Sequence, residues 1–313
     1  MLNDGSARMP EGRVVLAGAS GLIGRALAQS LRADGIPVAV LVRREPRSDA
    51  EIPWLRTTAP LDPELIAGAR AVVGLNGASI GRFPWTPRYR SELLWSRLTP
   101  TRTLATAIRS LGDDAPAFVS ASAVGYYGDY GVGLTETAPA GETFLARLCA
   151  AWENAALTAG DRARTVLLRT APIVHPDAAL KPLMQLTRLG VAGPIGNGTQ
   201  SWPWISLDDE VRAIRHAIDA ELDGPITLAG PHRATANDLG FAVAVRMNRP
   251  YLVRAPAWAL RAVLGRDAVS ALLTDDVEVI PKALLDSGFA FTHATVEDAV
   301  AAAIPQESGS AAA

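Results

Sequence analysis

The chain of 313 residues carries 30 Lys and Arg against 32 Asp and Glu, a formal net charge of -2, with 49% hydrophobic residues and 1 Cys. That balance makes no field able to gather phosphate backbones or anionic bilayers, so no nucleic-acid or membrane partner is expected, and no apolar run approaches the roughly 20 residues of a membrane span. A lone cysteine closes no internal disulfide and builds no thiolate zinc site; together with the lack of an apolar signal segment in Met1 to Gly12, it points to a globular cytoplasmic protein.

In chain order, Val14 to Ala17 is a short apolar block of the kind a buried parallel strand needs, followed at once by glycines and by a helical pattern from Leu22 to Ala33 that stops at Gly35. Val38 to Val42 reads as a second strand ending in Arg43-Arg44, Ala71 to Leu75 as a third, and Ala117 to Val119 as a fourth, with a long helix from Tyr89 to Leu111 before it. A helix over Phe144 to Ala159 leads to the apolar block Val166 to Leu168. Strands alternating with helices predict an α/β protein with a Rossmann-type, doubly wound parallel sheet over residues 12–175. Beyond Pro172 turns become frequent, and helices are predicted after Ser206 and after Thr235 from their capping patterns, from Pro256 to Leu264, and from Thr295 to Ala303. Residues 176–304 form a smaller substrate-binding region that interleaving can tie to the first, and residues 305–313 a flexible tail.

The run Gly18-Ala19-Ser20-Gly21-Leu22-Ile23-Gly24 joins the first strand to the first helix. Glycines there allow a tight turn, close backbone approach to a pyrophosphate and close helix packing, while the helix N-terminus adds positive charge. A ligand-free glycine turn is the plainer alternative. At the end of the second strand an acidic residue would select NAD, but the chain offers Arg43 and Arg44, whose guanidiniums suit a 2′-phosphate. The expectation is NADP(H) with Arg43 as main contact, against the alternative of a solvated basic turn.

After the fourth strand comes Ser120-Ala121-Ser122-Ala123-Val124-Gly125-Tyr126-Tyr127-Gly128. With the glycine loop, this run resembles the extended short-chain dehydrogenase/reductase superfamily, which contains nucleotide-sugar epimerases and dehydratases. Ser96-Arg97, the run from Phe144 to Glu153, Leu168-Arg169-Thr170, Gln200, Trp204-Ile205, Asp208-Asp209, Arg249-Pro250 and Gly288-Phe289 are similar to its atypical "epimerase family protein" branch, which has a C-terminal extension of unknown role. The resemblance implies an NADP-binding domain, a small-molecule substrate, Asn76, Gly77 and Arg169 beside the nicotinamide, and a homodimer through long helices beside the sheet. Leu75-Asn76-Gly77 and Arg169-Thr170-Ala171-Pro172 depart from the branch's usual Leu-Ala-Gly and Arg-Thr-Gly.

In the superfamily a Ser and a Tyr-x-x-x-Lys pair carry the chemistry. Aligned on the helix of Glu153, the Tyr position falls on Leu145 and the Lys position on Cys149. Leucine has no proton to give and a neutral thiol supplies no positive field. Two readings follow: an oxidoreductase or epimerase-like enzyme in which Ser122 holds the substrate oxygen and Tyr126 or Tyr127 gives the proton, or an NADP(H)-binding regulatory or redox-sensing protein without turnover. The tyrosines serve equally well as packing. His175, His216, His232 and His293 lack metal-site spacing, so no metal is expected. Asp208-Asp209 reads as helix capping. Trp202, Trp204, Arg82, Trp85 and Arg88 are explained as readily by packing or exposure as by substrate contact.

Overall fold

The computed structural model describes residues 12–194, 198–253 and 276–305. The helix expected over Pro256 to Leu264 and the tail from 306 onward lie outside the described residues.

The apolar blocks form strands because each is buried on both faces. β1 (Val14–Ala17), β2 (Val38–Val42) and β4 (Ala71–Gly74) are almost wholly enclosed, as the continuous hydrophobic runs demand. With β3 (Glu51–Pro53), β5 (Ala117–Ala123), β7 (Thr165–Thr170) and β10 (Gly224–Leu228) they make a parallel 7-stranded sheet in the order β10-β7-β5-β4-β1-β2-β3. The order reverses at β1, and the crevice outside the carboxyl ends of β1 and β4 is the switch point where such sheets take ligands.

Helices cover both faces. α1 (Leu22–Ala33) and α5 (Leu207–Asp219) pack on one, where Leu16, Val73, Val119, Leu168 and Ile214 form a core. α2 (Pro87–Ser110) and α3 (Phe144–Leu157) pack on the other over Val15, Val72, Phe118 and Leu167. α2 begins at Pro87, earlier than the expected Tyr89, because Thr86 caps the Tyr89 amide and proline suits a first helical turn.

The second half of the chain is not set apart from the first. β10 returns to the edge of the large sheet beside β7, so the sheet extends past the expected boundary at residue 175. α4 (Leu180–Arg188), α6 (Ala236–Arg246) and α8 (Val296–Ala303) pack round Trp204 and Val243 in a separate small core. β8 (Ile173–Val174) and β9 (Ile205–Ser206) pair beside it. β6 (Tyr130–Leu134) pairs in parallel with β11 (Asp276–Val279), which is followed by α7 (Lys282–Asp286). These short strands escape notice in the sequence because two of them are only two residues long and the other two are largely not buried. Among the described residues no helix is long and apolar enough to cross a membrane.

Candidate active site

The glycine loop lies at the switch point. Gly18 has φ +89°, and a Cβ there would sit 2.8 Å from the Leu75 carbonyl, so only glycine lets the loop after β1 pass the loop after β4. A Cβ on Gly24 would run into the Gly18 carbonyl, which fixes how closely α1 approaches the strand. Gly21 is the N-cap of α1, with no side-chain cap and no acidic residue in the first turn, so the helix's first N–H groups and positive end are left for an anion. Arg25 donates to the Ser20 carbonyl and ties the loop from behind. Leu22 and Ile23 pack on the core beneath. Asn76 lies beside Gly18, its Oδ1 buried without a hydrogen-bond partner. The loop therefore leaves the uncapped N-terminus of α1 open to an anion, with an unfilled acceptor beside it.

The two arginines after β2 separate. Arg44 forks onto Glu51 at 2.6 and 2.8 Å, and its guanidinium holds the Glu51 carboxyl down at about 2. Arg43 is exposed and makes no ion pair among the described residues. Of the expected pair, Arg43 alone is at liberty to meet a phosphate; Arg44 is already neutralised.

Toward β5 and β7 the site turns into a buried polar network. Arg169, on β7, donates from Nε and Nη2 to the two oxygens of Glu153 on α3 at 2.9 and 3.0 Å, with side-chain exposures of 4% and 6%. Ser122, paired with Arg169 across β5 and β7, donates its hydroxyl to Glu153 Oε1 at 2.6 Å. Arg169 Nη1 also donates to the Glu136 carbonyl at 3.0 Å and the Tyr127 hydroxyl at 3.3 Å. Burial alone would lower the Arg169 pKa, but its bonds to Glu153 and Tyr127 raise it above the ordinary value.

Four of the expected site residues need restating. Ser122 donates its only proton to a carboxylate, which leaves its oxygen as an acceptor in this arrangement. Arg169 is almost wholly engaged within the protein and does not present itself to a cofactor. Tyr127 is buried and shares a 2.7 Å hydrogen bond with Thr227; burial raises its pKa despite that bond and the one from Arg169. Gly77 backs onto Arg97, whose Cζ would lie 3.0 Å from a Cβ there. Tyr126 differs from Tyr127: it is half-buried, its hydroxyl has no partner among the described residues, and the Arg169 guanidinium lies over its ring at 3.5 Å from the centroid.

Leu145 and Cys149 do face the turn that carries the tyrosines: a Cβ on Gly125 would be 3.3 Å from Leu145 Cβ and 3.9 Å from the Cys149 sulfur. Burial pushes the Cys149 thiol up to about 12, against the pull of nearby Arg97. Arg97 is itself buried, stacked on Trp152 at 5.1 Å and donating to the Ala78 and Leu93 carbonyls, with its pKa lowered by desolvation. Positive charge thus reaches this pocket from α2 and β7, while the Lys position on α3 holds a neutral thiol.

Elsewhere, Asp208, Asp209 and His293 bring ligand-type atoms within 4.8 Å. Yet Asp209 accepts from Ser206, Arg212 and the Thr292 and His293 amides, so its oxygens are taken by a clasp between α5 and the C-terminal segment.

Glu153, Glu136 and Thr227 are the members that residue patterns did not bring out. Glu153 left a trace, as a carboxylate on the apolar face of α3 beside Trp152 and Cys149; the other two left none, since their partners come from distant strands.

Residues 14–229 match the model of the NAD dependent epimerase/dehydratase family. The chain belongs to that family. Residues 255–303 match a domain of unknown function. An epimerase family protein of Mycobacterium leprae is 38% identical over 94% of this chain and 96% of its own. Epimerase family protein SDR39U1 of Homo sapiens is 31% identical over 90% of this chain and 95% of its own. The crystal structure of human SDR39U1 isoform 2 with NADPH superposes with a TM-score of 0.83 at 29% identity, covering 92% of this chain and 97% of that one. A nucleoside-diphosphate sugar epimerase of Corynebacterium glutamicum follows at TM-score 0.74 and 27% identity, covering 94% of this chain and 58% of that one.

Proposed function

We propose that this chain is an NADP(H)-dependent oxidoreductase, or an epimerase-like enzyme of the same chemistry, acting on a small molecule, with Tyr126 as its proton donor. Gly18, Ser20, Gly21 and Gly24 would hold the pyrophosphate, Arg43 the 2′-phosphate, and the buried Asn76 Oδ1 a donor on the nicotinamide side. When bound, the dinucleotide supplies or accepts a hydride. The observation that carries the reading is Arg169, held by Glu153 and laid 3.5 Å over the Tyr126 ring. It lays a guanidinium, paired with Glu153, against the face of a phenol where the superfamily sets a Lys beside its Tyr, while the Ser122 oxygen, free to accept, would hold a substrate hydroxyl or amine.

The test is NADPH oxidation, and NADP⁺ reduction, with panels of small carbonyls, imines and alcohols. Tyr126→Phe should lower turnover by roughly a hundredfold or more, as loss of a general acid does, and Tyr127→Phe by far less. Full activity in Tyr126→Phe removes the assignment.

A second reading, an NADP(H)-binding regulatory protein without turnover, draws on one fact: Ser122, Tyr127 and Cys149 are each withdrawn from proton transfer by bonding or burial. Tight cofactor binding with no consumption across the panels favours it. A homodimer through α2 and α3, which carry exposed Trp95 and Leu157, is checked by sedimentation.

A further inference from the structure

The C-terminal extension, which matches a domain of unknown function over residues 255–303, has its described part wrapped on the segment that carries Tyr126 and Tyr127. β6 begins three residues after Tyr127 and has no place in the large sheet; its strand partner is β11, from the extension. The pairing sets Asp276 against Tyr130 and Val279 against Leu134, and is continued at both ends by the Asp276 amide to the Asp129 carbonyl at 3.2 Å and the Ile280 amide to the Leu134 carbonyl at 2.7 Å. A lone pair of short strands is marginal in water and needs further anchors.

Glu136 supplies them. Its Oε1 accepts the Thr227 amide, on the outer edge of β10, at 3.0 Å, and the Ala283 amide, at the start of α7, at 3.2 Å. Its own carbonyl accepts Arg169 Nη1 at 3.0 Å. One residue therefore ties the edge of the large sheet, the extension and the guanidinium that lies over Tyr126. The Tyr126 carbonyl is bound in turn by the Gly141 amide at 2.9 Å, which closes the segment on itself.

We propose that Glu136 is a positioning residue through which the C-terminal extension sets the geometry of Tyr126, Tyr127 and Arg169, so that the extension completes the active site instead of forming an independent module. The function of the extension is then to latch the tyrosine segment against β10. The link to the cofactor pocket rests on NADP(H) binding, but the latch itself does not.

The experiment is hydrogen exchange on the full chain, with and without NADPH, for Glu136→Ala and Glu136→Gln. Glutamine keeps the acceptor oxygen and alanine removes it. Alanine should speed exchange across residues 124–136 and 276–283 together by roughly ten- to a hundredfold, the scale of losing bonds to a charged acceptor, while β1 and α1 are unchanged. Glutamine should restore most of the protection. The fluorescence lifetime of bound NADPH should shorten with alanine and recover with glutamine. Unchanged exchange in alanine, or no rescue by glutamine, overturns the proposal. Should the alanine variant not fold, Ala283→Pro removes one N–H to Glu136 in the first turn of α7, where no intrahelical hydrogen bond is lost; unchanged exchange at 124–136 in that variant also overturns it. Wild-type protein that binds no NADPH defeats the proposed function, while the exchange data still decide the latch.

Discussion

Removing Glu153 is the sharpest test of how the site is held. Its carboxylate, with a side chain 6% exposed, takes a bidentate fork from Arg169, 4% exposed, and the Ser122 hydroxyl. Glu153→Leu leaves the guanidinium buried with only the Glu136 carbonyl and the Tyr127 hydroxyl. Breaking a buried pair from one side costs about 3–5 kcal/mol, since an uncompensated charge stays behind. At about 1.5 °C per kcal/mol for a chain of this size, the midpoint of thermal unfolding should fall by roughly 5–8 °C. Arg169→Met should cost a similar amount. The double variant should recover most of the loss, because the desolvation penalty of both ions goes with them, giving a coupling energy of about 4 kcal/mol or more. The assay is urea unfolding of the four proteins, followed by fluorescence and circular dichroism so that coincident transitions certify a single step. Single variants that each cost less than about 1 kcal/mol, or costs that simply add, would refute the view that this pair is a closed electrostatic unit.

Glu210 is fully buried, accepts from Thr170, and burial pushes its carboxyl up to about 8. The unfolded chain releases this proton near the ordinary value, so its contribution to stability is complete below about pH 4.5, falls by up to about 1.4 kcal/mol per pH unit as pH rises toward 8, and is flat above that. Glu210→Gln should remove this slope between pH 5 and 8 in urea titrations; an identical slope in the variant would show that Glu210 ionises freely. For cofactor choice, Arg43→Ala should weaken NADPH roughly ten- to a hundredfold and leave NADH unchanged, whereas Arg44→Ala, already paired with Glu51, should weaken NADPH far less. Equal losses from both, read by isothermal calorimetry, would break that distinction. Gly24→Ala drives a Cβ into the Gly18 carbonyl and should cost about 1–3 kcal/mol along with most NADPH affinity; wild-type calorimetric binding counts against the loop as the anion site. Cys149, buried with its thiol at about 12, should react with iodoacetamide at neutral pH only at the rate of unfolding, and rapid labelling of folded protein would show the pocket to be open.

What the sequence determined by itself is the part written in local pattern. Continuous apolar runs required strands buried on both faces, and Gly18, Gly21 and Gly24 required a tight turn between a strand and a helix, since other residues at Gly18 or Gly24 meet backbone. The absence of Tyr and Lys from positions 145 and 149 was legible for the same reason: the helix of Glu153 fixes the spacing. The tertiary structure alone decided which functional groups are still free. Arg43 and Arg44 are adjacent and chemically identical, yet Glu51, brought beside them by β3, takes one of them. Ser122 and Tyr127 looked like donors until Glu153 and Thr227 were seen to hold them, and Tyr126 stands out because no described residue bonds its hydroxyl. Glu136 carries no local mark, because its partners lie in β7, β10 and α7. Pattern along a chain records what a residue must pack against, whereas proton donation depends on which distant atoms have already claimed the hydrogen bond.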